Sequence, residues 1–240
     1  MPVSAALELR DLECVRGDRL LFSGVHAAVR AGQLLRVLGA NGAGKTSLLR
    51  MICGLAQPAA GQVLWQGQPI ARLREEFNRQ LVYLGHAPAL KDELSALENL
   101  HAGSGLAGLP CSRADAAGAL ALAGLRGRER LPARVLSQGQ RKRVALARLA
   151  LSQAAALWVL DEPFNALDDA ACTWLQGLID AQLGRGGVVV LTSHQARAWD
   201  ATPAQVAITL AAPPAAASSA FSVLSAFSAS SQAPQPAMAG

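Results

Sequence analysis

The 240-residue chain predicts an α/β fold built on a parallel sheet. Two stretches, 156–160 and 187–193, are almost continuously apolar, as expected of strands that are covered on both faces. A third apolar stretch, 33–38, leads directly into a glycine-rich loop that is followed by a helical pattern. Because such strands alternate with helical segments, the sequence favours a parallel sheet with helices packed on its faces.

A small antiparallel part is predicted near the N-terminus. Residues 7–15 and 25–38 have the composition of short strands, with glycine turns beside them. The segment "GQVLWQGQPI" (61–70) has the pattern of a hairpin that turns at Gly67. We therefore expect a small antiparallel β region beside the parallel sheet.

A helical region follows over residues 90–130, where the composition is typical of helices. The pattern predicts a break at Gly103–Pro110 and another near Gly124, since glycine and proline interrupt helices. We expect a helical subdomain over about 88–150, inserted into a domain that spans residues 1–210.

From Ala211 onward the composition changes to alanine, proline and serine. Residues 211–240 carry no charge and little periodicity, so the sequence predicts a disordered, low-complexity tail. An alternative interpretation is that "FSVLSAF" within this tail forms a short amphipathic contact segment. The sequence contains no internal repeat.

Composition and charge limit the class of protein. Hydrophobic residues make up 51% of the chain, enough for a sizeable core, and the formal net charge is +5. That charge suits nucleic acid or an anionic membrane surface, or it reflects an arginine-rich coding bias. The four cysteines form no CxxC pair, which favours reduced thiols in the cytosol. No window is long and apolar enough for a membrane span, so we expect a soluble polypeptide.

The segment "GANGAGKT" (39–46) fits the phosphate-loop pattern G-x-x-x-x-G-K-[ST] and lies between a strand and a helix, as that loop requires. Glycines let its backbone N–H groups turn toward phosphate oxygens, and the helix that follows adds its positive end. Lys45 is predicted to bridge the β- and γ-phosphates of ATP, and the Thr46 hydroxyl to bind Mg²⁺. The predicted ATP-binding residues here are Gly39, Ala40, Asn41, Gly42, Ala43, Gly44, Lys45, Thr46 and Ser47.

Two carboxylates follow the apolar segment 157–160. A phosphate-loop enzyme needs a second anionic group near Mg²⁺, and Asp161 at the end of a neighbouring strand suits that role. Glu162 is then placed to orient and deprotonate the attacking water, a general-base function worth roughly 10²–10⁴ in rate. Lys45 and Glu162 are therefore predicted to be catalytic, and Thr46 and Asp161 to hold the metal.

The segment "LSQGQRKRVALARLAL" (136–151) points to a family. It predicts a helix that begins just after Gly139 and presents Ser137 with backbone N–H groups, which is a second anion-binding helix end. Here the chain resembles the ATP-binding cassette (ABC) family, in which "LSGGQ" reaches across a dimer to the γ-phosphate on the opposite subunit. Gln138 stands at the more tolerant middle position. The resemblance implies that Ser137 and Gly139 bind ATP held by a second copy.

Two more segments match that family. Residues 164–169, "FNALDD", resemble the loop at the dimer seam, with Asp168 at its acidic position. His194 resembles the catalytic histidine that contacts the γ-phosphate, and the resemblance covers about residues 5–210. It implies a phosphate-loop NTPase fold of the ABC nucleotide-binding type, with an antiparallel β subdomain, a helical subdomain, and ATP and Mg²⁺ as cofactors.

His86 narrows the resemblance to one group of the family. Most members have a glutamine here that touches Mg²⁺ and the attacking water, and a neutral imidazole can also accept from water or ligate a metal. His86 is therefore predicted to belong to the metal site. With "GHAPALK", "ALENLH" and "VLWQGQPI", the chain is similar to the ATPase subunits of cytochrome c maturation (haem export) transporters. The alternative is that His86 is an independent loss of the glutamine.

The base-binding side departs from the family pattern. Members of the family usually stack an aromatic ring from the first strand pair on adenine, and this sequence has no aromatic there before Phe22. Two interpretations remain open. Either the Arg16 guanidinium stacks on the base, or adenine is held loosely.

The resemblance implies ATP hydrolysis that supports haem delivery, or release of a haem-loaded chaperone, in cytochrome c maturation. The expected partners are a second copy of the chain and an integral membrane permease of that system, with no nucleic acid. The chain would lie peripherally on the cytoplasmic face of the inner membrane. The alternatives are the ATPase subunit of another ABC importer or exporter, a soluble ABC protein acting on ribosomes or DNA, and a regulator that binds without hydrolysis.

Overall fold

The computed structural model describes residues 6–192 and 205–211, which form two sheets and a group of helices. The strands are β1 (Leu7–Arg16), β2 (Arg19–Val29), β3 (Leu34–Gly39), β4 (Ala60–Trp65), β5 (Gln68–Pro69), β6 (Leu81–Leu84), β7 (Leu157–Leu160), β8 (Val188–Thr192) and β9 (Gln205–Leu210). The helices are α1 (Lys45–Ile52), α2 (Ile70–Arg79), α3 (Ala96–Leu106), α4 (Arg113–Leu122), α5 (Gln138–Leu151) and α6 (Asp169–Gly184), with a 3₁₀ turn at Ala133–Val135.

The central sheet has the strand order β6-β7-β8-β3-β9, and every neighbouring pair is parallel. Successive residues of β7 pack on opposite faces, Val159 in the cluster that contains α1 and Trp158 in the cluster that contains α5 and α6. The predicted α/β fold with a parallel sheet is therefore confirmed. Because parallel strands end at the same edge, Gly39 after β3 and Asp161 after β7 are brought to one side of the sheet.

The second sheet is antiparallel, with the order β2-β1-β4-β5. The predicted hairpin is confirmed, since β4 and β5 pair on either side of the turn at Gly67. Leu7, Phe22 and Trp65 are buried on one face of this sheet, in the same apolar cluster as α1. This packing fixes the antiparallel sheet against the helix that follows the glycine-rich loop.

Helices α3, α4 and α5 pack around a separate apolar cluster that includes Leu100, Leu120 and Val144. The predicted break near Gly124 is confirmed, since α4 ends at Leu122. The prediction of a break that starts at Gly103 is wrong, because α3 continues to Leu106. A glycine inside a helix costs only about 1 kcal/mol relative to alanine, less than the α3 capping box and packing supply.

Within the two described ranges, no helix is both long and apolar enough to cross a membrane. The predicted tail lies outside the described residues except for Ala211, so the sequence-based prediction for 212–240 stays a prediction.

Candidate nucleotide-binding site

The glycine-rich loop between β3 and α1 has a backbone that only glycine adopts easily. Gly39, Gly42 and Gly44 have φ angles of 145°, 79° and 94°. A Cβ on Gly44 would lie 2.9 Å from Cδ1 of Phe22, so a side chain is excluded there by space as well as by conformation. The loop therefore turns tightly and opens α1 at Lys45.

Lys45 is held inside this loop. Its Nζ donates hydrogen bonds to the carbonyl oxygens of Gly39 at 2.8 Å and Ala40 at 3.0 Å, and the residue is 7% exposed. An ammonium has three donors, so it can bind the loop and an anionic ligand together. The phosphate contact that the sequence predicts for Lys45 stays a prediction.

Asp161 connects the loop to the parallel sheet. Thr46 Oγ1 donates to Asp161 Oδ2 at 2.8 Å, and Thr192 Oγ1, at the end of β8, donates to Oδ1 at 2.8 Å. Asp161 is only 2% exposed, and these two hydroxyls satisfy both of its carboxylate oxygens. Strands β7 and β8 and the first turn of α1 thus meet at one carboxylate.

Glu162 stands on a strained backbone next to Asp161. Its φ of 48° lies in the left-handed region, a conformation that costs a non-glycine residue of order 1–3 kcal/mol and clusters at functional sites. Its N–H donates to Thr192 Oγ1 at 2.7 Å. Its carboxylate Oε2 accepts from Asn165 Nδ2 at 2.6 Å and lies 3.3 Å from His86 Nδ1.

Lys45, Thr46 and Glu162 line one open cleft of about 720 Å³. Its lining combines the phosphate loop, the end of the β1–β2 hairpin, His86 and the segment after β7. The lining residues are Arg16, Arg19, Leu21, Asn41, Gly42, Gly44, Lys45, Thr46, Ser47, His86, Glu162 and Asn165. Arg16 is thus on the cleft wall, whereas Phe22 is buried against Gly44.

The donor set beside the cleft suits Mg²⁺. Thr46 and Asp161 offer a hydroxyl and a carboxylate in direct contact, and hard oxygen ligands of this kind are those that Mg²⁺ takes from proteins. No cluster of three or more His, Cys, Asp and Glu side chains that could hold a metal occurs in the described part of the chain.

The second predicted anion site lies at the start of α5. The prediction that this helix begins after Gly139 is wrong by two residues, because Ser137 is its N-cap and Gln138 its first residue. Ser137 Oγ accepts from the Gln140 N–H at 3.3 Å, and the Ser137 N–H donates to Gln140 Oε1 at 3.0 Å. This reciprocal capping box starts the helix earlier than its apolar pattern indicates.

Residues 136–140, "LSQGQ", are the signature segment, which opens the signature helix α5 and packs on the loop after β7 of the same chain. A Cβ on Gly139 would lie 2.6 Å from the Ala166 carbonyl oxygen, so this approach requires glycine. Asp168 caps α6 by accepting from the Ala171 N–H at 2.8 Å. Neither Ser137 nor Gly139 is among the described residues that line the cleft.

One buried cation lies behind the carboxylates. Lys142 of α5 is 8% exposed, and burial lowers its pKa, partly opposed by the negative charges of Asp161 and Glu162. The positive charge of Lys142 therefore interacts favourably with the two carboxylates of its own chain. Lys142 lies on the same helix, α5, that Ser137 caps.

Sequence reasoning missed two side chains of the site, Thr192 and Asn165. Each forms hydrogen bonds with the predicted carboxylates. Both follow recognisable signals, since Thr192 is the first polar residue after the apolar run of β8 and Asn165 follows "DEPF". His194, which the resemblance implies as a catalytic residue, lies outside the described residues.

Known proteins resemble this chain in sequence and in fold. Residues 22–165 match the family model described as ABC transporter. The cytochrome c biogenesis ATP-binding export protein CcmA of Nitrosospira multiformis is 52% identical over 189 residues, covering 79% of this chain and 91% of that protein. CcmA of Aromatoleum aromaticum is 55% identical over 185 residues, covering 77% and 86%. An ABC transporter ATP-binding protein from Pyrococcus furiosus has a TM-score of 0.71 at 26% identity, covering 85% and 96%.

The family match spans more than half of the chain and includes the phosphate loop, the "LSQGQ" segment and the Asp161–Glu162 pair. The two curated relatives extend the likeness over most of their own length. The resemblance inferred from the motifs is therefore confirmed. The chain belongs to the ABC transporter family and, within it, to the cytochrome c biogenesis ATP-binding export proteins.

Proposed function

We propose that this chain hydrolyses ATP in the cleft and thereby powers export in cytochrome c biogenesis. The relatives named above are ATP-binding export proteins of that process. The observation that carries the proposal is the convergence of one set of groups. Lys45, Thr46 and Glu162 line a single cleft, and Asp161 is hydrogen-bonded to Thr46 beside it.

The phosphate loop would bind the triphosphate of ATP. Its backbone N–H groups and the N-terminus of α1 attract the phosphate oxygens, because unpaired N–H groups and the helix dipole both favour negative charge. Lys45 would add contacts to the β- and γ-phosphates while it keeps its bonds to the loop carbonyls. Arg16, which also lines the cleft, is the candidate for contact with the base.

Glu162 is the proposed general base. Its carboxylate would take a proton from water as the water oxygen forms a bond to the γ-phosphorus, and the bond to the β-phosphate oxygen breaks to release ADP. Asn165 holds Oε2 of this carboxylate at 2.6 Å, so the base is oriented before substrate binds. His194 is proposed to contact the γ-phosphate, on the strength of the family resemblance.

Thr46 and Asp161 are proposed to hold Mg²⁺, since both offer oxygen ligands and are already in contact. A bound Mg²⁺ supplies neutralisation of the negative charge that develops on the β- and γ-phosphates. His86 is the third residue assigned to the metal site from the sequence. It offers a nitrogen, a ligand type that suits transition metals better than Mg²⁺.

A second copy of the chain would complete each site. Ser137 and the N-terminus of α5 form an anion-binding helix end that is not part of the cleft in one chain. In a head-to-tail pair, this helix end of one copy would reach the γ-phosphate that the other copy binds. ATP would then act as the contact that closes the pair.

The chain is further proposed to act at a membrane through an integral membrane permease of the cytochrome c maturation system, on its cytoplasmic face. Closure of the pair on ATP would drive that permease. ATP hydrolysis would power either the export of haem or the release of a haem-loaded chaperone, as expected from the sequence. No role in nucleic-acid binding is proposed.

The test is recovery of the native complex from cells. A tagged chain is extracted in mild detergent, co-eluting proteins are identified by mass spectrometry, ATPase activity is measured, and cells that lack the gene are stained for c-type haem. We expect a small polytopic partner, Mg²⁺-dependent ATPase activity and loss of haem-stained cytochromes. Normal cytochromes with a different permease would assign the ATPase to another export or import system.

A further inference from the structure

Asn165 and His86, from different parts of the chain, both approach the carboxylate of Glu162. Asn165 Nδ2 donates to Oε2 at 2.6 Å, and His86 Nδ1 lies 3.3 Å from the same oxygen. The Glu162 side chain is 16% exposed and that of His86 is 69% exposed. The carboxylate is therefore mostly buried, whereas the imidazole beside it is mostly exposed.

The sheet itself sets this pairing. Strands β6 and β7 are adjacent and parallel, with Leu84 opposite Leu160. The Asp161 N–H donates to the Leu84 carbonyl at 2.8 Å, which continues the ladder one residue beyond the strands. His86 and Glu162 each lie two residues after this matched pair, so the backbone register brings them side by side.

The end of β6 is anchored independently. Arg148 of α5 donates from Nη2 to the Tyr83 carbonyl at 2.8 Å, and Arg148 is largely buried. This hydrogen bond ties the end of β6 to α5, three residues before His86.

We infer that His86 is a positioning residue, whose Nδ1–H donates to Glu162 Oε2 and, with Asn165, fixes the orientation of the carboxylate toward the attacking water. This inference rests on the proposed function of Glu162 as general base. It assigns His86 a role through the base, in place of direct ligation of the metal. Hydrogen bonds of catalytic groups are often long without substrate and shorten when substrate binds, which accommodates the 3.3 Å separation.

The reason to expect an effect on rate is geometric. A general base works only while its oxygen is within hydrogen-bond reach of the water proton, and orientation of reacting groups contributes substantially to enzyme rates. The backbone of Glu162 is strained, and its side chain lines the cleft. Its carboxylate can still rotate about the side-chain bonds. A hydrogen bond from His86, added to the one from Asn165, would restrict that rotation.

Two conservative substitutions separate the proposed role from metal or water ligation. The amide nitrogen of asparagine can occupy about the place of His Nδ1, whereas the amide of glutamine reaches the place of Nε2. We expect His86→Ala to lower kcat about tenfold with KM for ATP within about twofold, and His86→Asn to recover at least half of the lost rate. His86→Gln should remain close to the alanine variant.

The control is His26→Ala, because the exposed ring of His26 also lies next to a carboxylate, 3.5 Å from Asp11 Oδ1, but outside the cleft. Its kcat should equal that of the original chain. A second readout uses Glu162→Gln as background. There, addition of His86→Ala should change the residual rate by less than about twofold, since a residue that acts through the base has nothing left to position.

All variants are compared as full-length chains in the complex extracted from the membrane in mild detergent. ATP binding is measured together with turnover. Rescue by glutamine but not asparagine, or an undiminished His86 effect in the Glu162→Gln background, would overturn the inference and leave the ATPase function standing. Unchanged turnover in His86→Ala would overturn it as well. Absence of Mg²⁺-dependent turnover in the original complex would instead overturn the proposed function on which the inference rests.

Discussion

The phosphate-loop side of the molecule, around Lys45 and Asp161, and its signature end, at Ser137, are both assigned to ATP hydrolysis in the proposed function. They differ in how far the chain itself holds them in place. On the first side, Lys45 and Asp161 are buried and hydrogen-bonded within the chain. At the second, Ser137 is exposed at a helix N-terminus and lies outside the cleft. One chain therefore holds a pre-organised half and an open half. The difference teaches that hydrogen bonds within the chain fix the Asp161 region, whereas the proposed role of Ser137 depends on a second copy.

Glu162→Gln should have the largest effect, because it removes the general base from the pre-organised half and keeps the side-chain shape. We expect kcat to fall by roughly 10²–10⁴, with ATP binding intact and an ATP-bound dimer accumulating. Turnover is measured with a phosphate-release assay and the dimer by light scattering. If hydrolysis continues at the original rate, Glu162 is not the general base, and another group must activate the attacking water.

Thr192→Val tests how far the pre-organised half depends on internal hydrogen bonds. The Thr192 hydroxyl donates to Asp161 and accepts from the Glu162 N–H in a fully buried setting. Valine leaves both groups without that partner, and we expect the free energy of unfolding to fall by about 3 kcal/mol, measured by urea denaturation. Thr192→Ser should recover most of this loss.

The matched control is the same change in an exposed place. Thr173 of α6 donates its hydroxyl to the Asp169 carbonyl at 2.9 Å near solvent. Thr173→Val should change stability by less than about 0.5 kcal/mol, as is usual for surface substitutions. Equal losses at both positions would show that the Thr192 bonds are not what stabilises the carboxylate region.

Ser137→Ala examines the open half, with Ser112→Ala as its counterpart. Ser137 and Ser112 each cap a helix through a capping box, on α5 and α4. Both substitutions should lower stability by about 1 kcal/mol because a cap is lost. Only Ser137→Ala should lower kcat, by about tenfold or more, while binding of ATP to the single chain stays within about twofold. An equal kcat for both variants would contradict a role of Ser137 in a second copy's site.

The sequence predicted the parts of this site that local patterns carry. The phosphate loop, Asp161 and the "LSQGQ" helix end all combine a few adjacent residues with one secondary-structure context. Long-range pairs carry no such pattern. Thr192 and Asp161 are 31 positions apart, and the contact between His86 and Glu162 arises only from the register of β6 and β7.

Helix limits failed for a related physical reason. The apolar period and glycine positions suggested that α5 begins after Gly139 and that Gly103 interrupts α3. Side-chain caps at Ser137 and Ser95 fix both helix starts, and tertiary packing outweighs the glycine penalty. The short edge strand β9 likewise has its register set by pairing with β3, which no local signal in that segment specifies.

The smallest expected effects come from two helical glycines that differ only in what surrounds them. At Gly139 an added Cβ would meet the Ala166 carbonyl oxygen at 2.6 Å, whereas at Gly103 it would meet nothing within 4 Å. Gly139→Ala should therefore lower the free energy of unfolding by about 1–2 kcal/mol, because the loop after β7 must shift. Gly103→Ala should raise it by about 0.5–1 kcal/mol, since alanine is the better helix residue. Urea denaturation of both variants measures the difference. If Gly139→Ala instead stabilised the protein, α5 and the loop after β7 would be able to move apart at little cost. The open half would then not be rigidly packed against the pre-organised half.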